Sequence, residues 1–346
     1  MTMMKKRHIL HWAMGVLLTP LLGSCTSDDI GSAGRDECDI IPGQPMTVTS
    51  ATRATDGRTL SNQFEDGEEV WLWAIMEHTT NEHITAWRLK ANGSGGFSSL
   101  TNGADKYWPS DGSKLNVYAL HGNFKNSPTI SEGTTKWSNL SLTHTVEANQ
   151  STDNNKRLSD LLYSQTSSVA PNNTVQLTFD HLLAKITVKL DLTNSKGINE
   201  GELANAEVTL TNILPDATIS NMLLTANPVQ TSTTGTRTTI ISGKIPSSIT
   251  SGNVIGSAIV PLQDFGGGKG TDSENNVISI TLDSPDSRSF SYKPTSSVTL
   301  TAGNEYIYTL KIINGELSVS SITVNEFTTE ETQNKSWDIY VEPSGS

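Results

Sequence analysis

The sequence predicts an all-β protein built from antiparallel β-sandwiches. From Val70 onward, short runs of Val, Ile, Leu, Thr and aromatic residues are separated by Gly, Asn, Asp, Ser and Pro. Within the runs, apolar side chains recur at every second position, which is the period of a strand with one buried face. Helical spacing is almost absent, and strands without intervening helices favour sandwiches over a parallel α/β fold.

The first 24 residues have the pattern of a lipoprotein signal peptide. Lys5, Lys6 and Arg7 precede an apolar run from Ile9 to Leu22, which is too short for a permanent membrane span. Small residues then lead into Cys25, which we expect to be the first mature residue and to carry the lipid, a diacylglycerol with palmitate-type chains. An ordinary cleaved signal peptide that ends beside a chance cysteine is the alternative.

Residues 25–53 predict a tether or propeptide, because they are rich in Asp, Gly, Ser and Thr and offer little to bury. With Cys25 lipidated, Cys38 has no partner within the chain, so we expect no disulfide. Near the end of this segment, Met46-Thr47-Val48-Thr49 is suited to cover an exposed sheet edge.

The strands beyond the tether are predicted from the alternation of apolar and polar residues. The clearest is Ala184–Leu190, where apolar and polar side chains alternate. Upstream, an alternation that starts at Val175 slips by one residue near His181, which predicts a bulge or bend in one long strand. Further strands are predicted at Leu115–Ala119, Val208–Leu210, Ile278–Leu282 and Tyr306–Ile312.

One short helical turn is predicted at Arg157–Tyr163. The turn-forming segment Val169–Thr174 lies at mid-chain and is the predicted domain boundary. It divides the folded part into an N-terminal sandwich over residues 54–172 and a C-terminal sandwich over residues 173–346.

The charge argues against nucleic acid as a partner. The formal net charge is -12, and loss of the three basic residues of the signal lowers it to -15. Binding to phosphates requires clustered Lys and Arg, and here the basic residues are dispersed among a larger number of acidic ones. An acidic, exported surface is the plain interpretation.

No motif predicts catalysis, a cofactor or a metal site. The histidines do not have metal-binding spacing, and no Gly-x-Ser-x-Gly motif occurs. We expect His181 to be a buried, hydrogen-bonded residue at a strand bend. Trp71 and Trp73 share a strand face, which permits two interpretations, core packing and a carbohydrate platform.

Several blocks, taken in order, resemble the fimbrillin-like family, which supplies the subunits of type V pili in Bacteroidales. The strongest blocks are Tyr107-Trp108-Pro109 and the run from Phe179 to Ile186. The resemblance extends from about Arg53 to about Ile322. The complete series of blocks is Phe64–Leu72, Tyr107–Ala119, Asp160–Tyr163, Phe179–Ile186 and Leu300–Tyr306.

The resemblance implies two transthyretin-like β-sandwich domains with Greek-key connections, and export as an outer-membrane lipoprotein. It also implies that a trypsin-like or Arg-specific protease removes the N-terminal segment after an arginine. Arg53 lies between the tether and the first packed strand, so Arg53–Ala54 is the predicted scissile bond, with Arg58 and Arg35 as rivals. Ser27-Asp28-Asp29 resembles the tag that directs Bacteroidetes lipoproteins to the cell surface, although an ordinary solvated tether is the alternative.

The resemblance further implies assembly, in which a strand from the next subunit fills the groove left by the removed segment. Such a head-to-tail contact builds a filament. Trp337, Ile339 and Val341 alternate near the C-terminus and are the predicted donor-strand residues. Ile322–Val324 also qualifies, and the alternative for both is that they are the last native strands of their own domain.

The predicted function is therefore a structural and adhesive fimbrial subunit without enzyme activity, located at the cell surface and in the fimbrium. Its expected partners are other pilus subunits, the outer membrane through the lipid, and a host or bacterial surface ligand. The alternative is a monomeric surface lipoprotein that binds glycans through its tryptophans. Position in the filament, whether stalk, tip or anchor, does not follow from the sequence.

Overall fold

The computed structural model describes residues 43–53, 64–101, 103–124, 129–220, 229–231, 236–267, 275–283, 285, 287–327 and 337–338. Of residues 51–53, 220, 229–231 and 337–338 it describes the backbone.

Strands dominate the described part of the chain, as the alternation predicts. One α-helix, α1, spans Asp153–Ser159, and 3-10 turns lie at Trp137–Asn139 and Glu200–Leu203. The strands of the first half are β1 Val48–Arg53, β2 Glu69–Met76, β3 Glu82–Ala91, β4 Gly96–Ser99, β5 Leu115–His121, β6 Ser141–Thr145, β7 Leu162–Val169 and β8 Val175–His181. Those of the second half are β9 Ala184–Leu190, β10 Glu207–Ile213, β11 Asp216–Ser220, β12 Val229–Thr231, β13 Thr238–Lys244, β14 Asn253–Val260, β15 Asp264–Gly266, β16 Val277–Thr281, β17 Ser289–Tyr292, β18 Ser297–Thr299, β19 Asn304–Ile313, β20 Glu316–Glu326 and β21 Trp337–Asp338.

Seven strands of the first half close into a barrel in the order β1-β4-β3-β2-β5-β7-β8. Alternation along each strand sends one set of side chains inward. On β2, for example, Val70, Leu72 and Ala74 join the core inside the barrel, whereas Trp73 and Ile75 join a second core outside it. The barrel therefore has apolar side chains on both faces of part of its wall.

The second half forms several smaller sheets. A five-stranded sheet has the order β14-β9-β19-β20-β21 and a four-stranded sheet the order β13-β10-β16-β17. The inner faces of these sheets, together with the outward-facing residues of the barrel, form one continuous core that includes Ile186, Leu210 and Tyr308. A three-stranded sheet, β12-β11-β6, and the pair β15-β18 complete the described strands.

The expectation of purely antiparallel sheets is wrong for two strand pairs. β1 runs parallel to β8, and β9 runs parallel to β19. Both pairs join strands that are far apart in sequence, so no tight hairpin fixes their relative direction. The all-β class itself is confirmed.

The expected bulge near His181 is instead the point where the chain leaves one sheet for another. β8 ends at His181 in the barrel, and β9 begins at Ala184 in the five-stranded sheet. The slip in alternation arises because the two strands bury their apolar side chains in different cores. One consequence is that β8, which lies beyond the boundary expected at residue 172, pairs with strands of the first half.

The predicted helical turn lies earlier than expected. The side chain of Thr152 accepts a hydrogen bond from the Asn155 N–H and caps α1, which ends at Ser159. Leu161 and Leu162 are then fully buried, and Leu162 begins β7. Among the described residues, none of the helices has the length and apolar character needed to cross a membrane.

Candidate strand-exchange site

The segment before Arg53 forms the strand that closes the barrel. β1 pairs antiparallel with β4, where Val48 lies opposite Phe97, and parallel with β8, where Val48 lies opposite Val175. It is therefore hydrogen-bonded on both sides. Because the ring closes through β1, its loss would leave β4 and β8 with unpaired edges.

Backbone hydrogen bonds hold this segment on both sides of Val48. Pro45 forms an isolated bridge with Tyr107, and the Met46 N–H donates to the Lys106 carbonyl at 2.8 Å. Further along, the Ser50 N–H donates to the Gly95 carbonyl at 2.8 Å. The loop around Tyr107, in the Tyr-Trp-Pro block, thus fixes the start of the strand.

The inward face of the segment is apolar and closes the barrel core. Met46 is 7% exposed and Val48 is 2% exposed, whereas Thr47 between them is exposed. Both apolar side chains belong to the same core as Leu177 and Phe179 of β8. Removing two such side chains would uncover apolar surface worth about 1.5–3 kcal/mol each. The segment is therefore a cover over an apolar trough.

The predicted scissile bond lies at the end of this cover. Arg53 is the last residue of β1, and its backbone lies opposite Phe179. Ala54, together with the rivals Arg35 and Arg58, lies outside the described residues, as does the predicted lipidation site Cys25. Cleavage at Arg53 would separate the whole of β1 from the rest of the barrel, and this stays a prediction.

The C-terminal donor candidates are described in part. The backbone of Trp337 and Asp338 forms β21, which lies opposite Val324 and Thr323 of β20. Ile339 and Val341 lie outside the described residues. The two described residues, Trp337 and Asp338, form an edge strand of their own sheet.

The other donor candidate, Ile322–Val324, is wrong. These residues lie within β20, which pairs with β19 along its length from Glu316 to Glu326. Ile322 is 6% exposed and belongs to the main core. Releasing this strand would disrupt its own sheet, so its domain cannot spare it.

The tryptophan pair is part of the interior. Trp73 is fully buried in the main core, and its Nε1–H donates to the Thr135 carbonyl at 2.8 Å. Trp71 is half-buried, and the Arg88 guanidinium lies 5.5 Å from its ring centroid. Because Trp73 offers no surface to solvent, the two rings do not form a carbohydrate platform.

His181 is buried and hydrogen-bonded, as expected. Its Nδ1 lies 2.8 Å from the Asp160 carboxylate, and both side chains are almost completely inaccessible. The Phe327 ring stacks on the imidazole at a centroid distance of 3.7 Å. Since β20 ends just before Phe327, this stack fixes the point from which the C-terminal segment departs.

Three other described histidines have structural contacts. Nδ1 of His121 lies 2.8 Å from the Glu69 carbonyl, and Nε2 of His83 lies 2.7 Å from the Tyr107 carbonyl. His144 is fully buried, and burial lowers its pKa to about 4. In the part of the chain that the structure describes, no three His, Cys, Asp or Glu side chains are grouped as metal ligands.

Sequence reasoning identified the cover but missed its partners. The run at Met46–Thr49 predicted a covering strand, and β1 begins within it, at Val48. The pairing of β1 with β4 and with β8 was not predicted. The alternation of Val175, Leu177 and Phe179 marked β8 as half-buried, yet alternation does not specify which strand lies alongside.

Comparison with known proteins gives a family match and a fold likeness. A family model described as fimbrillin-like matches residues 52–326. Among solved structures, a candidate cell adhesion protein from Bacteroides uniformis superposes with a TM-score of 0.59 at 18% identity, covering 83% of this chain and 98% of that one. Another from Bacteroides ovatus gives a TM-score of 0.62 at 14% identity, covering 84% and 99%. These two likenesses concern the fold. No curated protein matches the sequence.

Proposed function

The chain belongs to the fimbrillin-like family, and on that premise we propose that it is a pilus subunit assembled by protease-triggered strand exchange. The precursor is a closed barrel in which β1 occupies one strand position. Proteolysis separates β1 from the rest of the chain, and a strand from another subunit then takes its place. The product is a head-to-tail fibre.

The observation that carries this proposal is the placement of β1 between β4 and β8 at the N-terminal end of the folded part. A segment held by the backbone pairing of β1 and by the buried side chains of Met46 and Val48 keeps its place until the chain is cut. Once cut, it becomes a separate peptide whose dissociation opens two sheet edges beside an apolar trough. Such a surface is completed by any strand of suitable alternation.

The proposal includes export as a lipoprotein. The signal over residues 1–24 directs the chain through the inner membrane, and the lipid on Cys25 holds the precursor at the outer membrane, exposed at the surface. Cleavage after Arg53 then removes the lipid together with β1. The same cut thus releases the subunit and makes it competent for assembly. Its partners are other pilus subunits and a host or bacterial surface ligand.

The donor strand in this scheme is the C-terminal segment with Trp337, Ile339 and Val341. Within the described residues it is attached to its own domain through β21, where Trp337 and Asp338 pair with Val324 and Thr323 of β20. Detaching Trp337 and Asp338 from β20 breaks backbone hydrogen bonds that are each worth about 0.5–1.5 kcal/mol. The segment then adds to the neighbouring subunit through a complete row of such bonds.

Limited proteolysis tests the proposal. We expect purified precursor treated with trypsin to yield a resistant core that begins at Ala54, and to form a ladder of multimers in unheated gels. Arg53→Ala should abolish the core that begins at Ala54 and leave a core that begins at Thr59, whereas the matched variant Arg58→Ala should retain the Ala54 core. Because either cut separates β1, the ladder should be lost in the double variant Arg53→Ala/Arg58→Ala. N-terminal sequencing of the core identifies the bond. A core that starts at Ala54 but never forms multimers would contradict the proposed exchange.

A further inference from the structure

The inward face of β1 has one position that matches its surroundings poorly. Met46 and Val48 are followed two residues later by Ser50, which lies opposite Leu177 of β8. Register partners in a parallel pair point to the same face, and Leu177 is fully buried in the barrel core. Ser50 is half-buried as a residue, and its register places its shielded Oγ on the face that Leu177 presents to the barrel core.

The Ser50 hydroxyl is the polar group at this position. Its Oγ is shielded from solvent and has no partner among the described residues. A buried hydroxyl without a partner opposes folding, because it loses its hydrogen bonds to water and gains none in return. The resident strand is thus bound less tightly in the barrel than a strand with an apolar side chain at this position would be.

We propose that Ser50 marks a subsite which the incoming strand fills with an apolar side chain, so that exchange proceeds toward the polymer. This inference rests on the proposed function. The occupant is the C-terminal strand of a second copy of this chain. Its residues Trp337, Ile339 and Val341 repeat the two-residue spacing of the cover, which places Val341 at the Ser50 position.

At each of the three inward-facing positions, the incoming strand has a larger or more apolar side chain than the resident cover. The incoming strand offers Trp in place of Met46, Ile in place of Val48, and Val in place of Ser50. Each replacement adds apolar area inside the barrel, and the last also removes the unpartnered hydroxyl. With Trp337 at the position of Met46 and Val341 at that of Ser50, the incoming strand runs in the direction of β1, parallel to β8.

Peptide exchange tests the subsite directly. The full-length precursor is cleaved with trypsin and incubated with a labelled peptide of residues 44–52, which competes with the resident cover. The probe peptides carry Ser50, Ser50→Ala or Ser50→Val, and uptake is followed by fluorescence anisotropy. We expect Ser50→Val to displace the cover about tenfold better than the Ser50 peptide, and Ser50→Ala to improve uptake by a smaller factor.

A control peptide with Thr49→Val separates this effect from general hydrophobicity. Thr49 is next to Ser50 on the opposite face of the strand, so its replacement should leave uptake nearly unchanged. A Ser50 peptide that enters as well as both substituted peptides would overturn the subsite and leave strand exchange standing. If none of the peptides enters the cleaved protein, the proposed function fails instead.

The C-terminal peptide identifies the occupant. A peptide of residues 334–342 should enter the cleaved protein. Val341→Ser should reduce the uptake of this peptide by about the same factor by which Ser50→Val increases the uptake of the cover peptide. A matched Tyr340→Ser change lies on the other face and should have little effect. Equal uptake of the unsubstituted and Val341→Ser peptides would exclude Val341 from the subsite.

Discussion

A buried imidazole, His144, shows how single residues set the conditions under which this fold is stable. Its Nδ1 accepts a hydrogen bond from the Asn123 backbone N–H at 2.9 Å, and its Nε2–H donates to the Ser159 carbonyl at 2.9 Å. This pattern requires the neutral ring. Burial lowers the pKa to about 4, because a charged imidazole would lose its hydration.

The shift predicts an acid-sensitive precursor. In the unfolded chain the pKa of His144 is about 6.5. Between pH 6.5 and 4 the imidazole is therefore protonated in the unfolded state and neutral in the folded state, which favours unfolding. The contribution to stability is complete above about pH 6.5 and is lost as pH falls toward 4. At most it amounts to about 3 kcal/mol.

Urea unfolding at pH 7 and pH 4.5 measures this contribution. We expect the fall in unfolding free energy between the two pH values to be about 2–3 kcal/mol smaller in His144→Asn than in the unsubstituted chain. His144→Gln serves as a second neutral replacement in case Asn packs poorly. An identical fall in all three proteins would show that His144 does not titrate with folding.

At the scale of elements, the side chain of Gln150 acts in place of a strand. Its Nε2 donates to the Ile259 carbonyl at 2.9 Å, and its Oε1 accepts from the Ile259 N–H at 2.8 Å. Its backbone N–H donates to the Ile241 carbonyl at 2.7 Å. Fully buried, Gln150 thus joins β13 of one sheet to β14 of another.

Gln150→Leu should destabilise the fold by about 2–4 kcal/mol, because the Ile259 N–H and C=O would both lose a buried partner. Chemical denaturation measures the loss. Asn154→Leu makes the same kind of change at an exposed position of α1 and should shift the unfolding free energy by less than about 0.5 kcal/mol. A small effect of Gln150→Leu would mean that another group can satisfy Ile259.

Alternation predicted the strands well because it depends on neighbouring residues alone. Ala184–Leu190 and Val175–His181 appear as β9 and β8. What alternation cannot specify is which core a strand faces, so the step between these two strands resembled a bulge. The Gln150 bridge was equally unpredictable, since it depends on residues that are far apart in sequence.

At the scale of the whole molecule, the sequence pattern also failed to predict which strands pair when they are far apart in the chain. β6 precedes the boundary expected near residue 172 but pairs with β11, and β8 follows that boundary but belongs to the barrel. The position of β1 as the closing strand also depends on β4 and β8, which are remote in sequence. The cover was therefore predicted as a segment, and its place in the barrel required the structure.

The direction of assembly leads to a prediction about the polymer. Trp337→Asp places a charge on the inward face of the proposed donor strand, where it must be desolvated inside the barrel of the next subunit. Trypsin-treated Trp337→Asp protein should give the core that begins at Ala54 but no multimers in unheated gels, while the precursor stays soluble. Tyr340→Asp adds the same charge on the opposite face of the alternation and should still polymerise. Fibres of normal length from Trp337→Asp would remove Trp337 from the donor strand, and failure of both variants would point to a requirement for net charge rather than for an inward-facing side chain.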